Sequence, residues 1–313
     1  MVKSVACFDV GGTFTKYAAI NDKGDILFKS KFITPDSNCR IKIPEEISKR
    51  VIELKDSYNI CRVGVSTSGQ VDSQKGEIIF ATDTLPEYTG AKLSRSIEAA
   101  TGFETFVEND VNAAALGEMW KGAAKGRDTF ICITLGTGIG GAIVIDGKLF
   151  RGCAGSSGEI GHMIINENGD DCTCGNKGCY ERYASTSALV RKYQYELNRN
   201  GIEESGIDGE VIMERVQQGE ELAVKVYDQF LDHVVTGLVN LTCIFDPGLI
   251  IIGGGISAQG KPFIDEINSK LKSRLMESYS RHTEVVQAAL GNDAGILGAC
   301  CAALEGNVPD KKY

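Results

Sequence analysis

Residues 5–27 read VACFDVGGTFTKYAAINDKGDIL, and this stretch decides the fold of the 313-residue chain. An apolar strand leads into a Gly-Gly turn, a second strand follows, and Asn-Asp-Lys-Gly forms the next turn. Glycine turns between alternating apolar runs are hairpin signals. Residues 130–149, FICITLGTGIGGAIVIDGKL, repeat the plan, with Gly136 aligned on Gly11 and Ile145 on Ile20. The sequence therefore predicts two domains that share one plan, with a cleft between them.

Helices and strands alternate along the rest of the chain. Pro44 to Tyr58 is predicted as a helix with proline in its first turn, and Ala113 to Lys121 as another. The apolar run from Leu249 to Ile252 predicts a buried strand that ends at three glycines. Mixed strands and helices with glycine loops at strand ends are typical of an α/β architecture.

The composition is that of a globular protein and excludes several function classes. The net charge is −9, and no basic, aromatic-rich stretch suggests a nucleic-acid surface. We find neither a signal-peptide pattern nor an apolar run long enough to cross a bilayer. The 11 cysteines are odd in number, and several lie within apolar runs. We therefore expect a cytoplasmic protein with reduced thiols that binds neither nucleic acid nor membrane.

The stretch HMIINENGDDCTCGNKGCYE, residues 162–181, combines one imidazole with three thiols. His162, Cys172, Cys174 and Cys179 have the residue types of a closed, tetrahedral structural zinc site. The alternative is a group of buried cysteines beside a glycine turn. Because the loop is polar and glycine-rich, apolar thiols would gain little packing there, and the sequence favours zinc.

Three glycine-rich turns follow predicted strands. Asp9 precedes Gly-Gly at a turn where backbone amides can approach phosphate and a carboxylate can hold Mg²⁺; the alternative is a plain hairpin. Residues 136–141 match G-x-G-x-x-G, but they lead into a strand rather than a helix, so a phosphate-contacting hairpin fits better than a dinucleotide fold. The glycines at 253–255 could lie against an adenine or allow close packing of strand and helix.

Polar side chains cluster at the end of another strand. Asp110 could accept a proton from a substrate hydroxyl, and Asn109 could hydrogen-bond neighbouring hydroxyls. The alternative is that this pair caps a helix. Glu159 and Glu181 flank the histidine and cysteine stretch and could accept hydrogen bonds from paired sugar hydroxyls, or be solvated charges.

Six motifs in this order together resemble one family. They are DVGGTFTK at 9–16, END at 108–110, LGTGIGG at 135–141, GEIGHM at 158–163, CTCGNKGCYE at 172–181 and IIGGGIS at 251–257. The chain is similar to the ROK family (repressors, open reading frames and sugar kinases), part of the superfamily of actin and hexokinase. The resemblance implies a duplicated ribonuclease-H-like α/β fold with an inter-domain cleft. It implies a small N-terminal domain of residues 1–112 plus 294–313, and a larger one of residues 113–293 that carries the zinc loop.

The resemblance also implies roles for individual residues. Asp110 would be the catalytic base, and His162 would give one ring nitrogen to zinc and the other to the sugar. The sugar would be held by Gly69, Asn109, Asp110, Glu159, His162 and Glu181. The phosphates and Mg²⁺ would be held by Asp9, Gly11, Gly12, Thr13, Thr137 and Gly138, and the adenosine would lie near Gly254 and Gly255.

The activity implied is ATP-dependent phosphorylation of a free hexose or derivative at its 6-hydroxyl, by a homodimer with Mg²⁺ and structural zinc. Glucose, N-acetylmannosamine and a β-glucoside remain open as substrates, as does a donor other than ATP. Ser66 to Gly69 departs from the Pro-Gly of many glucokinases of the family. The alternatives are a non-catalytic sugar-binding protein and a sugar-responsive regulator, for which Asp9 leaves no room for a preceding DNA-binding module.

Overall fold

The computed structural model describes residues 3–306, so the predicted first-domain residues Met1, Val2 and 307–313 lie outside the described part of the chain. The described strands are β1 Ser4–Val10, β2 Phe14–Asn21, β3 Ile26–Ile33, β4 Ile60–Thr67, β5 Gln70–Asp72, β6 Glu77–Phe80, β7 Thr105–Asn109, β8 Phe130–Leu135, β9 Ile139–Ile145, β10 Lys148–Leu149, β11 Leu249–Gly253 and β12 Glu284–Gln287. The described α-helices are α1 Cys39–Leu54, α2 Leu93–Thr101, α3 Asp110–Lys121, α4 Glu181–Ala184, α5 Thr186–Arg199, α6 Gly209–Gln217, α7 Glu221–Phe245, α8 Lys261–Arg274, α9 Glu277–Ser280 and α10 Ala294–Glu305. Short 3₁₀ helices lie at Ile160–His162, Gly255–Gln259 and Gly291–Asp293.

The two large sheets share one topology. In the first, the strand order is β3-β2-β1-β4-β7, with β1 antiparallel to β2 and parallel to β4. In the second, β8 is antiparallel to β9 and parallel to β11, which is in turn parallel to β12. The duplicated α/β plan predicted from the two glycine hairpins is therefore confirmed.

The chain divides into two compact units. Of the described residues, the first contains 3–128, 147–157 and 289–306, and the second contains 129–146 and 158–288. The domain boundary predicted after residue 112 falls within α3, which lies wholly in the first unit. A Cβ on Gly298 of α10 would come 1.6 Å from the carbonyl oxygen of Ala113, so α3 and α10 pack backbone to backbone. This contact explains why α3 belongs with the first sheet.

The first sheet is covered on both faces. Side chains alternate along β1, so Phe8 and Val10 join Ile43 of α1 in one core, while Val5 and Cys7 point to the other face. That second core also contains Ala18, Ile20, Phe106, Ile296, Leu297, Cys300 and Ala303. Burial on both faces accounts for the nearly continuous apolar character of β1.

The second unit has one extended core under its sheet. Long helix α7 contributes Phe230, Val234 and Leu238, which pack with residues of β8 and β11. Tyr180, at the end of the cysteine loop, is fully buried and donates its hydroxyl to the carbonyl oxygen of Val234 at 2.8 Å. The cysteine loop is therefore anchored to α7.

Two helices begin earlier than the sequence predicted. Helix α1 begins at Cys39, so Pro44 lies inside it rather than in its first turn. Helix α3 begins at Asp110 because Asn109 caps it, whereas the apolar pattern placed its start at Ala113. Within residues 3–306, none of the helices combines the length and the apolar character needed to cross a membrane.

Candidate active site

The turn between β1 and β2 presents a carboxylate beside exposed backbone. Asp9 Oδ1 accepts a hydrogen bond from Ser66 Oγ at 2.9 Å, and Asp9 Oδ2 lies 3.5 Å from Lys16 Nζ. The Gly11 N–H donates to the Phe14 carbonyl at 3.2 Å and closes the turn. The predicted residues Gly12 and Thr13 are exposed at its tip. This arrangement suits a hydrated cation and phosphate oxygens approaching the turn.

Asp110 begins α3, and Asn109 fixes its position. The Asn109 Oδ1 caps the helix by accepting from the N–H groups of Val111 at 2.9 Å and Asn112 at 3.1 Å. The Asn109 Nδ2 donates to the Gly69 carbonyl and to Asp110 Oδ1, both at 2.9 Å. The helix-cap interpretation and the catalytic interpretation of the Asn-Asp pair are therefore compatible. Asn109 caps the helix, and the same residue orients the Asp110 carboxylate.

The environment of Asp110 changes its acid–base behaviour. Burial raises the pKa of Asp110 to about 6. The negative charge of Asp9 also raises this pKa, while the hydrogen bonds from Val111 and Asn109 lower it and only partly offset the burial. A carboxylate with a pKa near 6 is charged at neutral pH and is a stronger base than an ordinary aspartate, which suits proton abstraction.

The predicted zinc ligands lie together. The ligand atoms of His162, Cys172, Cys174 and Cys179 are all within 4.8 Å of one another. Cys174 Sγ lies 3.5 Å from Cys179 Sγ, and Cys172 Sγ lies 3.7 Å from His162 Nδ1. Two ligand atoms at about 2.3 Å from a tetrahedral ion lie about 3.8 Å apart, so these spacings fit zinc. The Asn176 backbone N–H helps to lower the pKa of Cys174 to about 7, which favours its thiolate.

The two nitrogens of His162 face different partners. Its Nδ1 lies 3.7 Å from both Cys172 Sγ and Glu181 Oε1, so this nitrogen points into the cysteine cluster. Its Nε2 lies 4.0 Å from Glu159 Oε2 on the other side of the ring. Glu159 is exposed, whereas Glu181 is half-buried. The Glu159 carboxylate and one ring nitrogen thus lie on the side away from the cysteines.

The second glycine turn, between β8 and β9, is held by residues that follow the cysteine loop. The Gly136 N–H donates to the Gly138 carbonyl at 3.0 Å, and the Gly136 carbonyl accepts from the Thr186 N–H at 2.9 Å. A Cβ on Gly138 would lie 2.8 Å from Glu181 Oε2. Thr137 is exposed at the tip. This turn offers backbone amides and a hydroxyl rather than a charged side chain.

The glycines after β11 serve different purposes. Gly254 has a φ of +91°, and a Cβ there would lie 2.3 Å from the Leu135 carbonyl oxygen, so close packing requires glycine. Around Gly255, an added Cβ would meet nothing within 4 Å. The packing alternative therefore explains Gly254, while Gly255 leaves open backbone that a flat ligand could approach.

The sequence model of the ROK family matches residues 5–305. The chain belongs to the ROK family.

Named relatives match nearly the whole of this ROK protein. It is 34% identical over 300 residues to a glucokinase of Thermotoga maritima, covering 93% of this chain and 94% of the relative. It is 33% identical over 298 residues to a β-glucoside kinase of Listeria monocytogenes, covering 94% and 95%. A Streptomyces griseus ROK glucokinase, solved with glucose and AMPPNP, is 34% identical and superposes with a TM-score of 0.82 over 97% of this chain and 100% of that one. This ROK protein therefore has the actin/hexokinase-like fold, as predicted.

The structure groups the predicted site residues by unit. Asp9, Gly11, Gly12, Thr13, Gly69, Asn109 and Asp110 belong to the first unit. Thr137, Gly138, Glu159, His162, Glu181, Gly254, Gly255 and the three cysteines belong to the second unit.

Three further polar residues were missed by the sequence reasoning. Lys16 pairs across the strands with Asp9, and its Nζ also donates to the Asn292 carbonyl at 3.1 Å. The sequence feature that could have revealed Lys16 is its position opposite Asp9 in the predicted hairpin. Glu108 and Arg151 form a mostly buried ion pair. Glu108 stood in the END motif as a carboxylate at the end of a buried strand, but no pattern in the sequence indicated that Arg151 was its partner.

Proposed function

We propose that this ROK protein is an ATP-dependent sugar kinase that phosphorylates the 6-hydroxyl of a free hexose or hexose derivative. The observation that carries the proposal is Asp110, a carboxylate fixed at a helix N-terminus whose pKa burial raises to about 6. Its relatives named glucokinase and β-glucoside kinase support the reaction class. Glucose, N-acetylmannosamine and a β-glucoside are the substrates that we expect.

In the proposed mechanism, an Asp110 carboxylate oxygen accepts the proton of the sugar 6-hydroxyl while the hydroxyl oxygen attacks the γ-phosphorus of ATP. The oxygen–phosphorus bond forms in line as the bond to the leaving ADP breaks. Asn109 holds the base, and the Gly69 carbonyl holds Asn109. Glu159, His162 and Glu181 would form hydrogen bonds with the other sugar hydroxyls. Positioning and charge neutralisation supply most of the catalysis in phosphoryl transfer.

The phosphates would be held by the two glycine turns. Asp9 would hold Mg²⁺, directly or through water, and the ion neutralises phosphate charge when it is bound. Gly11, Gly12, Thr13, Thr137 and Gly138 offer backbone amides and hydroxyls to phosphate oxygens. Gly254 and Gly255 would lie near the adenosine, where the absence of side chains at Gly255 leaves space.

Structural zinc is part of the same proposal. The spacing of the four ligand atoms and the direction of His162 Nδ1 support it. With Nδ1 on the ion, the tautomer of His162 would be fixed and Nε2 would be aimed away from the cysteines. In this proposal zinc would have a structural role, holding the cysteine loop.

The experiment is an ADP-release assay with Mg²⁺-ATP against glucose, N-acetylmannosamine, N-acetylglucosamine, fructose and a β-glucoside. We expect strong turnover on one of these sugars, and phosphorus NMR of the product should show a 6-phosphate. The matched control is Asp110→Asn, which keeps the shape of the side chain and removes the base. No ADP release across the panel with ATP or polyphosphate as donor, from protein with its zinc bound, would reject the proposal.

The homodimer and the cytoplasmic location remain predictions. Light scattering on the purified chain, with and without sugar, tests the oligomeric state. Imaging of the tagged protein in cells tests the location.

A further inference from the structure

Glu108 immediately precedes the Asn109 cap, and its carboxylate is fully engaged. Only 4% of its side chain is exposed. Its Oε2 accepts from Arg151 Nη2 at 2.8 Å and from Arg151 Nε at 3.2 Å. Its Oε1 accepts from the Asn109 N–H and from Asn112 Nδ2, both at 3.0 Å. One oxygen therefore holds the start of α3 while the other holds an arginine.

Arg151 belongs to a loop that contacts the same region a second time. The Arg151 carbonyl accepts from the Ser157 N–H at 3.2 Å and closes the loop on itself. Gly155 of this loop lies against Val71, since a Cβ on it would be 3.2 Å from the Val71 carbonyl oxygen. The Gly69 carbonyl, two residues earlier, accepts from Asn109 Nδ2. The Arg151 loop thus contacts β7 through Glu108 and lies against β5 through Gly155, all within the first unit.

Fold stability alone is a weak explanation for this ion pair. Burying two charges costs desolvation free energy that their attraction often only just offsets, and apolar replacements of similar size are commonly as stable. The pair does specify geometry, because two guanidinium N–H groups converge on one carboxylate oxygen, Oε2, and hold it in place. With Oε2 held by Arg151, the other oxygen, Oε1, is directed at the Asn109 N–H, one residue before Asp110.

We propose that Arg151 is a positioning residue: through Glu108 it holds Asn109 and the first turn of α3 so that Asp110 is presented to the sugar hydroxyl. Arg151 touches neither substrate nor reacting atoms in this role. The inference rests on the proposed kinase function and extends it. A misplacement on the order of 1 Å at a reacting group lowers turnover by roughly 100-fold, so a small tilt of this turn is enough to matter.

The test is steady-state kinetics of Arg151→Met and Arg151→Lys on the sugar that the wild-type protein phosphorylates. We expect kcat to fall about 10- to 100-fold in Arg151→Met, with the KM values for sugar and ATP within about threefold of wild type. Arg151→Lys keeps the positive charge but cannot place two guanidinium N–H groups on Oε2. Its kcat should therefore lie between the values of the wild-type protein and Arg151→Met. Arg50→Met is the matched control, because Arg50 is similarly half-buried and pairs with glutamates of its own helix α1, Glu46 and Glu53, and its kcat should not change.

Arg151→Met leaves Glu108 charged and unpaired, which could unfold the protein. The double variant Glu108→Gln with Arg151→Met removes that charge, and we expect it to fold and to keep the lowered kcat. A double variant with wild-type kcat would overturn the proposal. So would a raised KM at unchanged kcat, which would place Arg151 in binding. Wild-type turnover tests the kinase function separately, and the ratio of variant to wild type tests Arg151.

Discussion

The two glycine turns hold the same place in a repeated sheet, yet they are stabilised in different ways. The turn after β1 carries Asp9 and lies beside Lys16 and Ser66, all from neighbouring strands of its own sheet. The turn after β8 carries no charged side chain, and it is held by Thr186 and flanked by Glu181, which follow the cysteine loop. The two turns share a backbone plan, whereas different kinds of side chain complete each of them.

This difference suggests different functions for the two turns. The unit of the first turn contains both Asp9, the proposed Mg²⁺ ligand, and Asp110, the proposed base. The second turn offers backbone amides, and its shape depends on a loop that we propose zinc holds. Four experiments test this comparison, beginning with the largest expected effect.

Replacing the base should separate catalysis from stability. We expect Asp110→Asn to lower kcat by about 10²- to 10⁴-fold while the sugar dissociation constant changes little, measured by ADP release and by calorimetry. Because burial raises the pKa of Asp110, its charge is a cost to folding at neutral pH, and thermal unfolding of the variant at pH 7 should occur at or above the wild-type temperature. Retained turnover would show that Asp110 is not the base, and it would contradict the proposal that the two turns have different functions.

The second unit should be sensitive to added volume at one glycine. Gly254→Ala combines a positive φ with a clash against the Leu135 carbonyl, so we expect a loss of about 1–3 kcal/mol in the free energy of unfolding by urea. Gly255→Ala, where the added methyl group meets nothing, is the matched control and should unfold as wild type does. Equal stability of the two variants would contradict the packing explanation for Gly254.

Metal removal should affect only one of the two turns. After chelation, verified by metal analysis, amide hydrogen exchange should accelerate at least about tenfold at residues 136–141 and 160–186, equivalent to about 1.4 kcal/mol of local opening. Exchange at residues 4–21 should not change, because the first turn is held by its own sheet. Equal acceleration in both regions would show that the turns do not differ in this way.

The pH profile should report the burial of Asp110, which belongs to the same unit as the first turn. With a pKa raised to about 6 mainly by burial, Asp110 gains a proton as the pH falls through this value and can no longer accept one from the sugar. We therefore expect kcat/KM to fall about tenfold per pH unit below pH ~6, measured from about pH 5 to pH 8. An acidic limb near the ordinary aspartate pKa would instead indicate that Asp110 is well solvated in the working enzyme.

Sequence reasoning reached the fold and most of the candidate site for a physical reason. Hairpin glycines, strand-end polar residues and the histidine and cysteine spacing are local patterns, and local patterns are visible in one sequence. The start of α3 was misplaced because Asn109 satisfies two backbone N–H groups that apolar periodicity does not register. The pairing of Glu108 with Arg151 joins residues far apart in sequence, and only the folded chain shows it.

Helix α10 has a consequence for how the protein is made. One face of β1 is buried by Ile296, Leu297 and Cys300 of this helix, which is synthesised after every other described element. While the chain is still emerging from the ribosome, that face of the first sheet lacks these side chains, although the second unit is already complete in sequence. The described part of the first unit is therefore begun first and finished last, and the Val5 and Cys7 face of β1 lacks its α10 partners until the end of synthesis.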